Sequence, residues 1–503
     1  MFLVYYFPSG AIIRLSNDRK PAFIGQINKK DEKMDSKILK PAPPFGIKDK
    51  LGYLLGDFGN DFTFILSSSF LLKFYTDVMR VDAGIVGLVM MLARFADAFT
   101  DVTMGRICDR SKTTKNGKFR PWILRMAGPV AIASFLIYQS SLRDMPLGFK
   151  VGWLVVTYIL WGSIFYTSIN IPYGSMASAI SPEPDDRQSL STFRSLGSTL
   201  AGVVIGAGVP LLAYDTKIIG GEKIAELNGG KFTLISGIFS ILAVLSYLAC
   251  YYLTRERVES LPSPKKEDYG ALKLVTSAVK NRAIISIIGA SVIMLLSQFT
   301  LQQMANYVYP DYYANTAAQS ASTVAMLFGM VVAATGAKPL ASRFGKAEVS
   351  AVSSLVAGAV CLLLFIIRPG NVWVYVGFNL FAWLGLGVFS MVSWALITDV
   401  IDYSEIQNGY REDGSIYALY SFARKIGQAA AAGTTGLFLS IIGYDRTEGS
   451  ILPESVKSGI FNLSTIVPAI GFFALALVLW FWYPLNKKTV DKNVEILRKK
   501  RES

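Results

Sequence analysis

Residues Ala83 to Cys108 read AGIVGLVMMLARFADAFTDVTMGRIC, an apolar run that holds two aspartates, Asp97 and Asp101, four positions apart. The run is long enough to cross a bilayer as a helix, which takes about 20 residues. A carboxylate at the centre of such a helix costs roughly 2.5–3.5 kcal/mol on insertion, so it is rarely there without a task. Four-residue spacing sets both acids on one helical face, about 6 Å apart along the axis. Paired acidic oxygens on one face suit a small cation such as Na⁺, or a proton. Arg94, three residues before Asp97, offers the plainer alternative of charge neutralisation.

The rest of the chain repeats the apolar theme. Of its 503 residues 52% are apolar, and the mean hydropathy is +0.40. Twelve blocks of spanning length lie near 52–76, 83–108, 122–142, 151–177, 190–213, 232–253, 283–309, 319–341, 348–367, 371–398, 415–442 and 459–483. This marks an all-α membrane protein with twelve transmembrane helices in two six-helix bundles.

Lysine and arginine set the orientation. They crowd the connection after the second helix (Arg106, Arg110, Lys112, Lys115, Lys118, Arg120), the central connection (Arg255, Arg257, Lys265, Lys266, Lys273, Lys280, Arg282) and the tail (Lys487, Lys488, Lys492, Arg498, Lys499, Lys500, Arg501). Both termini and the even-numbered loops are therefore expected in the cytoplasm, with the chain in the cell membrane. The net charge of +14 reflects this bias and calls for the lipid bilayer as partner, not for nucleic acid. The chain is expected to act as a monomer.

Histidine is absent, which removes histidine relays, histidine metal sites and Ser-His-Asp or Cys-His catalysis. Cys108, Cys250 and Cys361 lie in or beside spans without paired spacing and read as packing residues. No enzyme and no cofactor is expected.

Five regions follow. Residues 1–50 form a cytoplasmic extension, of which Met1–Lys33 is read as disordered or as a misassigned start. A six-helix bundle over 51–253 is joined by the loop 254–282 to a second bundle over 283–484, and 485–503 form a tail. Each bundle carries a basic loop after its second helix. The first holds Asp109-Arg110 and Gly117-Lys118-Phe119-Arg120; the second is Ser342-Arg343-Phe344-Gly345-Lys346. This weak repeat suggests pseudo-equivalent bundles with a midplane site between them, as in alternating-access transporters. Asp109, Arg110, Lys118 and Arg120 are read as an inward gate.

Asp97-Ala98-Phe99-Thr100-Asp101, followed by Met104-Gly105, Asp109-Arg110 and Gly117-Lys118-Phe119-Arg120-Pro121-Trp122, resembles the glycoside–pentoside–hexuronide:cation symporters of the major facilitator superfamily. Further matches are Asn170-Ile171-Pro172-Tyr173-Gly174-Ser175 with Phe193-Arg194, Trp394 to Asp399 with Asp402-Tyr403 and Glu405, and Phe422-Ala423-Arg424-Lys425-Ile426-Gly427-Gln428. The resemblance spans Leu51 to Pro484. It implies that Asp97, Thr100, Asp101 and Thr167 bind the coupling cation, with Asp97 and Asp101 as the Na⁺ carboxylates and Arg94 beside them. It also implies that Asp61 accepts hydrogen bonds from sugar hydroxyls, and that Arg194 and Lys425 line the cavity. Where melibiose-carrying members have an acid and a tryptophan, this chain has Asn170 and Gly174, which keeps the family and opens the substrate. Tyr166, Tyr420 and Trp394 offer aromatic faces for a sugar.

Asp61 and Lys425 each lie about ten residues from a helix end, roughly 15 Å deep, and are expected to face a shared cavity and partly neutralise each other. The chain thus reads as a secondary transporter importing a glycoside, pentoside or hexuronide with Na⁺ or H⁺. Na⁺ is favoured because carboxylates and hydroxyls are hard oxygen donors. The competing readings are a cation-coupled lysolipid carrier and a non-transporting membrane sensor.

Overall fold

The computed structural model describes residues 42–258, 281–409, 413–446 and 450–502. The readings of Met1–Lys33 and of most of the central connection fall outside them. Twelve helices of 18 or more residues follow one another among the described residues. The first half holds α1 Ile47–Asp77, α2 Ala83–Arg110, α3 Arg120–Ile137, α4 Leu147–Ile180, α5 Pro184–Leu212 and α6 Gly229–Leu253. The second holds α7 Arg282–Tyr312, α8 Thr316–Phe344, α9 Lys346–Ile367, α10 Val372–Asn408, α11 Asp413–Ile441 and α12 Glu454–Trp482. Nine are apolar enough to cross a membrane by length and composition; α1, α3 and α11 carry more polar sequence.

Asparagine or aspartate opens five of these helices. Asp82, Asn228, Asn281, Asn315 and Asn371 each accept a backbone N–H of the first turn of α2, α6, α7, α8 and α10. Such caps satisfy donors that the helix itself leaves open. Two boundaries differ from the sequence reading. The third helix stops at Ile137, where the chain tightens into a short 3₁₀ turn over Ser140–Leu142. Helix α10 runs ten residues beyond 398, through Asp399, Asp402 and Glu405, until Gly409 with φ of 80° ends it.

Two elements were not expected. Between α5 and α6 an antiparallel hairpin, β1 Tyr214–Ile219 and β2 Glu222–Leu227, turns at Gly220-Gly221, both at positive φ. That conformation suits glycine and matches the strand twist. In the tail, α13 Lys487–Glu502 buries Leu497 and packs Val490 on the second bundle.

The repeat seen in the sequence recurs as two latches. In the first half Glu256, just past α6, accepts the backbone N–H groups of Lys118, Phe119 and Arg120 at 2.7, 2.9 and 2.8 Å. A carboxylate over a helix start meets both open donors and the positive end of the helix dipole. Burial raises the Glu256 carboxyl above its usual range, and the amides of Arg120, Lys118 and Phe119 oppose that rise. In the second half Glu348 accepts the Lys487 N–H at 2.8 Å, while the Lys487 ammonium donates to the Arg343 carbonyl at 2.7 Å.

The proposed gate residues sit on the first latch. Lys118 donates to the Asp109 carbonyl, and Arg120 to the carbonyls of Tyr251 and Asn116. Asp109 and Arg110 are exposed. Glu256→Ala leaves three amides without their anion. At about 1.5–3 kcal/mol for hydrogen bonds to a charged group, amide exchange at residues 118–120 should accelerate on the order of 10- to 100-fold by mass spectrometry, while α1 stays protected. Unchanged exchange would show that the latch holds nothing.

The end opposite the basic loops is shut. The Lys73 ammonium, fully buried on α1, meets Asp77 at 2.8 Å, Asp311 of α7 at 2.5 Å and the Tyr444 hydroxyl at 2.8 Å. The single Tyr444 O–H is shared between Asp77 and Asp311, at 2.8 and 2.9 Å, and Arg446 reaches Asp311 at 3.7 Å. Ser320 and Thr323 of α8 donate to the carbonyls of Ala207 and Gly206 on α5. Helices α2 and α11 touch through glycines, since a Cβ on Gly87 would lie 2.9 Å from the Gly436 Cα. Small residues allow this close approach.

Candidate functional site

Helices α2 and α4 run in the same direction, and their polar residues meet in register. The Ser163 hydroxyl donates to Asp97 Oδ1 at 2.5 Å, and one turn on the Thr167 hydroxyl donates to Asp101 Oδ1 at 2.7 Å. The rungs sit where α4 widens into a π-helical segment, Leu160–Tyr166. The Gly162 carbonyl, an acceptor in that widened turn, also lies within reach of the Thr167 hydroxyl, at 3.1 Å, as an alternative to Asp101 for its single proton. Such segments recur at functional sites because they re-aim side chains. Gly162 lets the acid approach: a Cβ there would lie 3.3 Å from Asp97 Oδ1.

Two cations flank the pair. Arg94 stands 3.7 Å from Asp97 Oδ2 and lies over the Phe64 ring at 4.8 Å. Lys425 of α11 forms an ion pair with Asp101 Oδ2, a link between the two bundles. This corrects the expectation that Lys425 and Asp61 share a cavity. The glycine contact draws α11 against α2, so Lys425 meets Asp101 instead. Asp61 is buried on α1 toward Ser198 of α5.

A cavity of about 310 Å³ opens beside the pair. Arg94, Asp97, Asp101, Thr167, Tyr166, Asn170, Lys425 and Trp394 line it from among the residues singled out in the sequence, and Arg424 lines it beside Lys425. Thr100 is not in that lining; its hydroxyl donates to the Asp97 carbonyl of its own helix at 3.1 Å. Tyr420 is buried behind Trp394, at 5.4 Å between ring centres.

Arg194 lies apart. It pairs with Asp57 at 3.0 Å and sits over the Tyr173 ring at 5.4 Å, within the first bundle. Asn170 ties the cavity wall to α1, since its side-chain oxygen accepts from the Asn60 amide at 3.5 Å.

Sequence reasoning missed Ser163, Asp57, Arg424 and Glu256. Two of these had a visible signal. Ser163 and Thr167 repeat the four-residue spacing of the acids, and so do Asp57 and Asp61. Nothing local marked Glu256, whose role depends on a helix start 136 positions earlier.

Comparison with known proteins agrees with this architecture. A family model described as MFS/sugar transport protein matches residues 52–487. A glucuronide carrier protein homolog of Escherichia coli (strain K12) is 31% identical over 455 residues, covering 90% of this chain and 95% of that protein. The isoprimeverose transporter of Lactiplantibacillus pentosus is 29% identical, covering 86% and 88%. Among solved structures, a bacterial homolog of the human lysosomal transporter Spinster, inward-facing and unoccupied, superposes with a TM-score of 0.63 at 12% identity over 89% of this chain and 97% of that one. That likeness concerns the fold alone.

Proposed function

The chain belongs to the MFS/sugar transport protein family, and we propose that within it the protein imports a glycoside, pentoside or hexuronide by coupling to Na⁺. A sugar-transporting membrane carrier, not an enzyme, is what the family comprises. The observation that carries the coupling is the paired ladder, in which each of two aspartates takes one hydroxyl. Four hard oxygen-bearing groups, Asp97, Asp101, Ser163 and Thr167, converge there. Such donors suit an alkali cation, whereas a proton needs only one carboxylate.

Lys425 supports a mechanism. Its ammonium rests on Asp101 and ties α11 to α2 across the bundle interface. A cation arriving at the pair competes for the same oxygens, frees Lys425 and loosens the tie. Cation and bundle position are then linked, and by reciprocity sugar tightens the cation site as much as cation tightens the sugar site. Tyr166, Asn170 and Lys425 would face the sugar from the cavity; Asp61 and Arg194 would support it from α1 and α5. The basic ends would face the cytoplasm, with the first latch as the inward gate. Because one chain supplies both walls of the cavity, the protein would work as a monomer. Neither the lysolipid carrier nor the membrane sensor gains support from the family match.

Sugar binding to the purified protein should tighten on adding Na⁺ at fixed pH, and an imposed Na⁺ gradient should drive uptake into proteoliposomes. Uptake driven by a pH step alone, with Na⁺ without effect, would make the carrier a proton symporter.

A further inference from the structure

The positive charges around the cavity are not equivalent. Arg94 stands by Asp97, Lys425 is paired with Asp101, and outside the cavity Arg194 is paired with Asp57. Arg424 has no such partner. Among the described residues its guanidinium meets only rings, at 5.4 Å from the Trp394 centre and 5.8 Å from that of Tyr420, while it lines the cavity wall. It lies eleven residues into α11, about 16 Å along the helix.

A guanidinium without a counter-ion at that depth is costly, and in membrane spans such a charge usually marks a substrate pathway. Contact with an aromatic face leaves the N–H edge of the guanidinium available, and that edge is a planar fork matched to a carboxylate. The same wall carries Ser421 and Gln428, and the facing wall Asn170 and Tyr166, all suited to hydroxyls. The cavity therefore offers one anion fork, several hydroxyl partners and an aromatic face in a single small volume.

We infer that the transporter selects sugars bearing an acidic group, and that Arg424 is the residue that recognises the acid. This rests on the sugar-carrier reading above and narrows it. Arg424 and Lys425 divide the work between neighbours on one helix. Lys425, though it also faces the sugar, is held by the cation pair, and Arg424 answers to the acidic group of the substrate, so replacing Arg424 leaves the Lys425–Asp101 pair in place.

The test compares two ligands that differ at one carbon, a β-glucuronide and the matching β-glucoside, with a 6-sulfonated glucoside as a third. Binding to the purified full-length protein in Na⁺ should favour the glucuronide by about 10- to 100-fold, the equivalent of roughly 1.5–3 kcal/mol for a charged hydrogen-bonded pair. Arg424→Gln should reduce that preference to near one while neutral glucoside binding stays within about threefold, which also reports that the variant is folded. Arg424→Lys, which keeps the charge and loses the fork, should fall between. A sulfonate preference that is likewise lost in Arg424→Gln would support the acid reading with another acid. A wild-type protein that binds the glucoside as well as the glucuronide would overturn the inference while leaving the carrier reading intact. So would an Arg424→Gln variant that still discriminates. If no sugar of any kind binds or moves, both fall together.

Discussion

Asp97→Asn and Asp101→Asn should each lower gradient-driven sugar accumulation by about 10- to 100-fold. Asparagine keeps the shape of the side chain and removes the charge that a cation needs. Each lost charged ligand contact is worth about 1.5–3 kcal/mol, so one substitution suffices. The two variants should differ in a second respect. Asp97 has Arg94 only at 3.7 Å, whereas Asp101 is directly paired with Lys425. Removing Asp101 strands the half-buried Lys425 ammonium in the cavity, a cost moderated by the solvent that reaches the pair. Asp101→Asn should therefore melt at a lower temperature than Asp97→Asn. The double variant Asp101→Asn with Lys425→Gln should regain thermal stability without regaining coupling. Melting curves and uptake under an imposed Na⁺ gradient are the measurements, with sugar exchange in the absence of a gradient as the control for a folded carrier. Wild-type accumulation in either single variant would remove the pair from the coupling mechanism.

Lys73→Met should open the shut end. In the structure this one ammonium serves Asp77, Asp311 and Tyr444, and it lies over the Tyr307 ring at 4.5 Å. Without it two buried carboxylates face each other with, among the described residues, only Arg446, at 3.7 Å from Asp311, to offset them. A penalty of about 3–5 kcal/mol on this arrangement shifts its population by a factor on the order of 10² to 10³ against any state in which the acids reach water. Ser320 provides the probe, because it is buried where α8 meets α5 and donates to the Ala207 carbonyl. The native cysteines, Cys108, Cys250 and Cys361, are all buried and give a low background. A Ser320→Cys protein should react slowly with a membrane-impermeant thiol reagent, and the same protein carrying Lys73→Met should react much faster. Equal rates would mean that the charge cluster does not hold this end closed.

Both cluster and ladder show where sequence reading reaches and where it stops. Asp97 and Asp101 announced themselves, because two acids in an apolar run are costly and the one basic neighbour in sequence, Arg94, could balance only one of them. The twelve apolar blocks were equally plain, since spanning a bilayer requires them. The partners were harder. Lys425 could be placed at a depth along its helix but not around it, so Asp61 looked as near as Asp101. The close approach of Gly433 and Gly436 to α2, at Met91 and Gly87, settles which face of α11 meets which helix. Lys73 and Asp311 stand 238 positions apart near the ends of different bundles, and no periodicity connects them. The hairpin escaped notice for a different reason. Its two strands are short and lie between long spans, where no apolar block marks them.

The two latches bear on what keeps each bundle whole. Glu256 and Lys487 lie just past the last helix of their respective halves, and each fastens that half's exit to the junction of its own second and third helices. Each bundle is in effect tied off like a closed parcel, with its final turn of chain knotted back onto an early one. The residues that make the knots lie outside 259–280. Covalent continuity between the halves is thus a separate matter from the integrity of either. The opposite polarity of the knots, with the carboxylate on the exit strand in one and on the helix in the other, means that no single substitution type or ionic condition need loosen both.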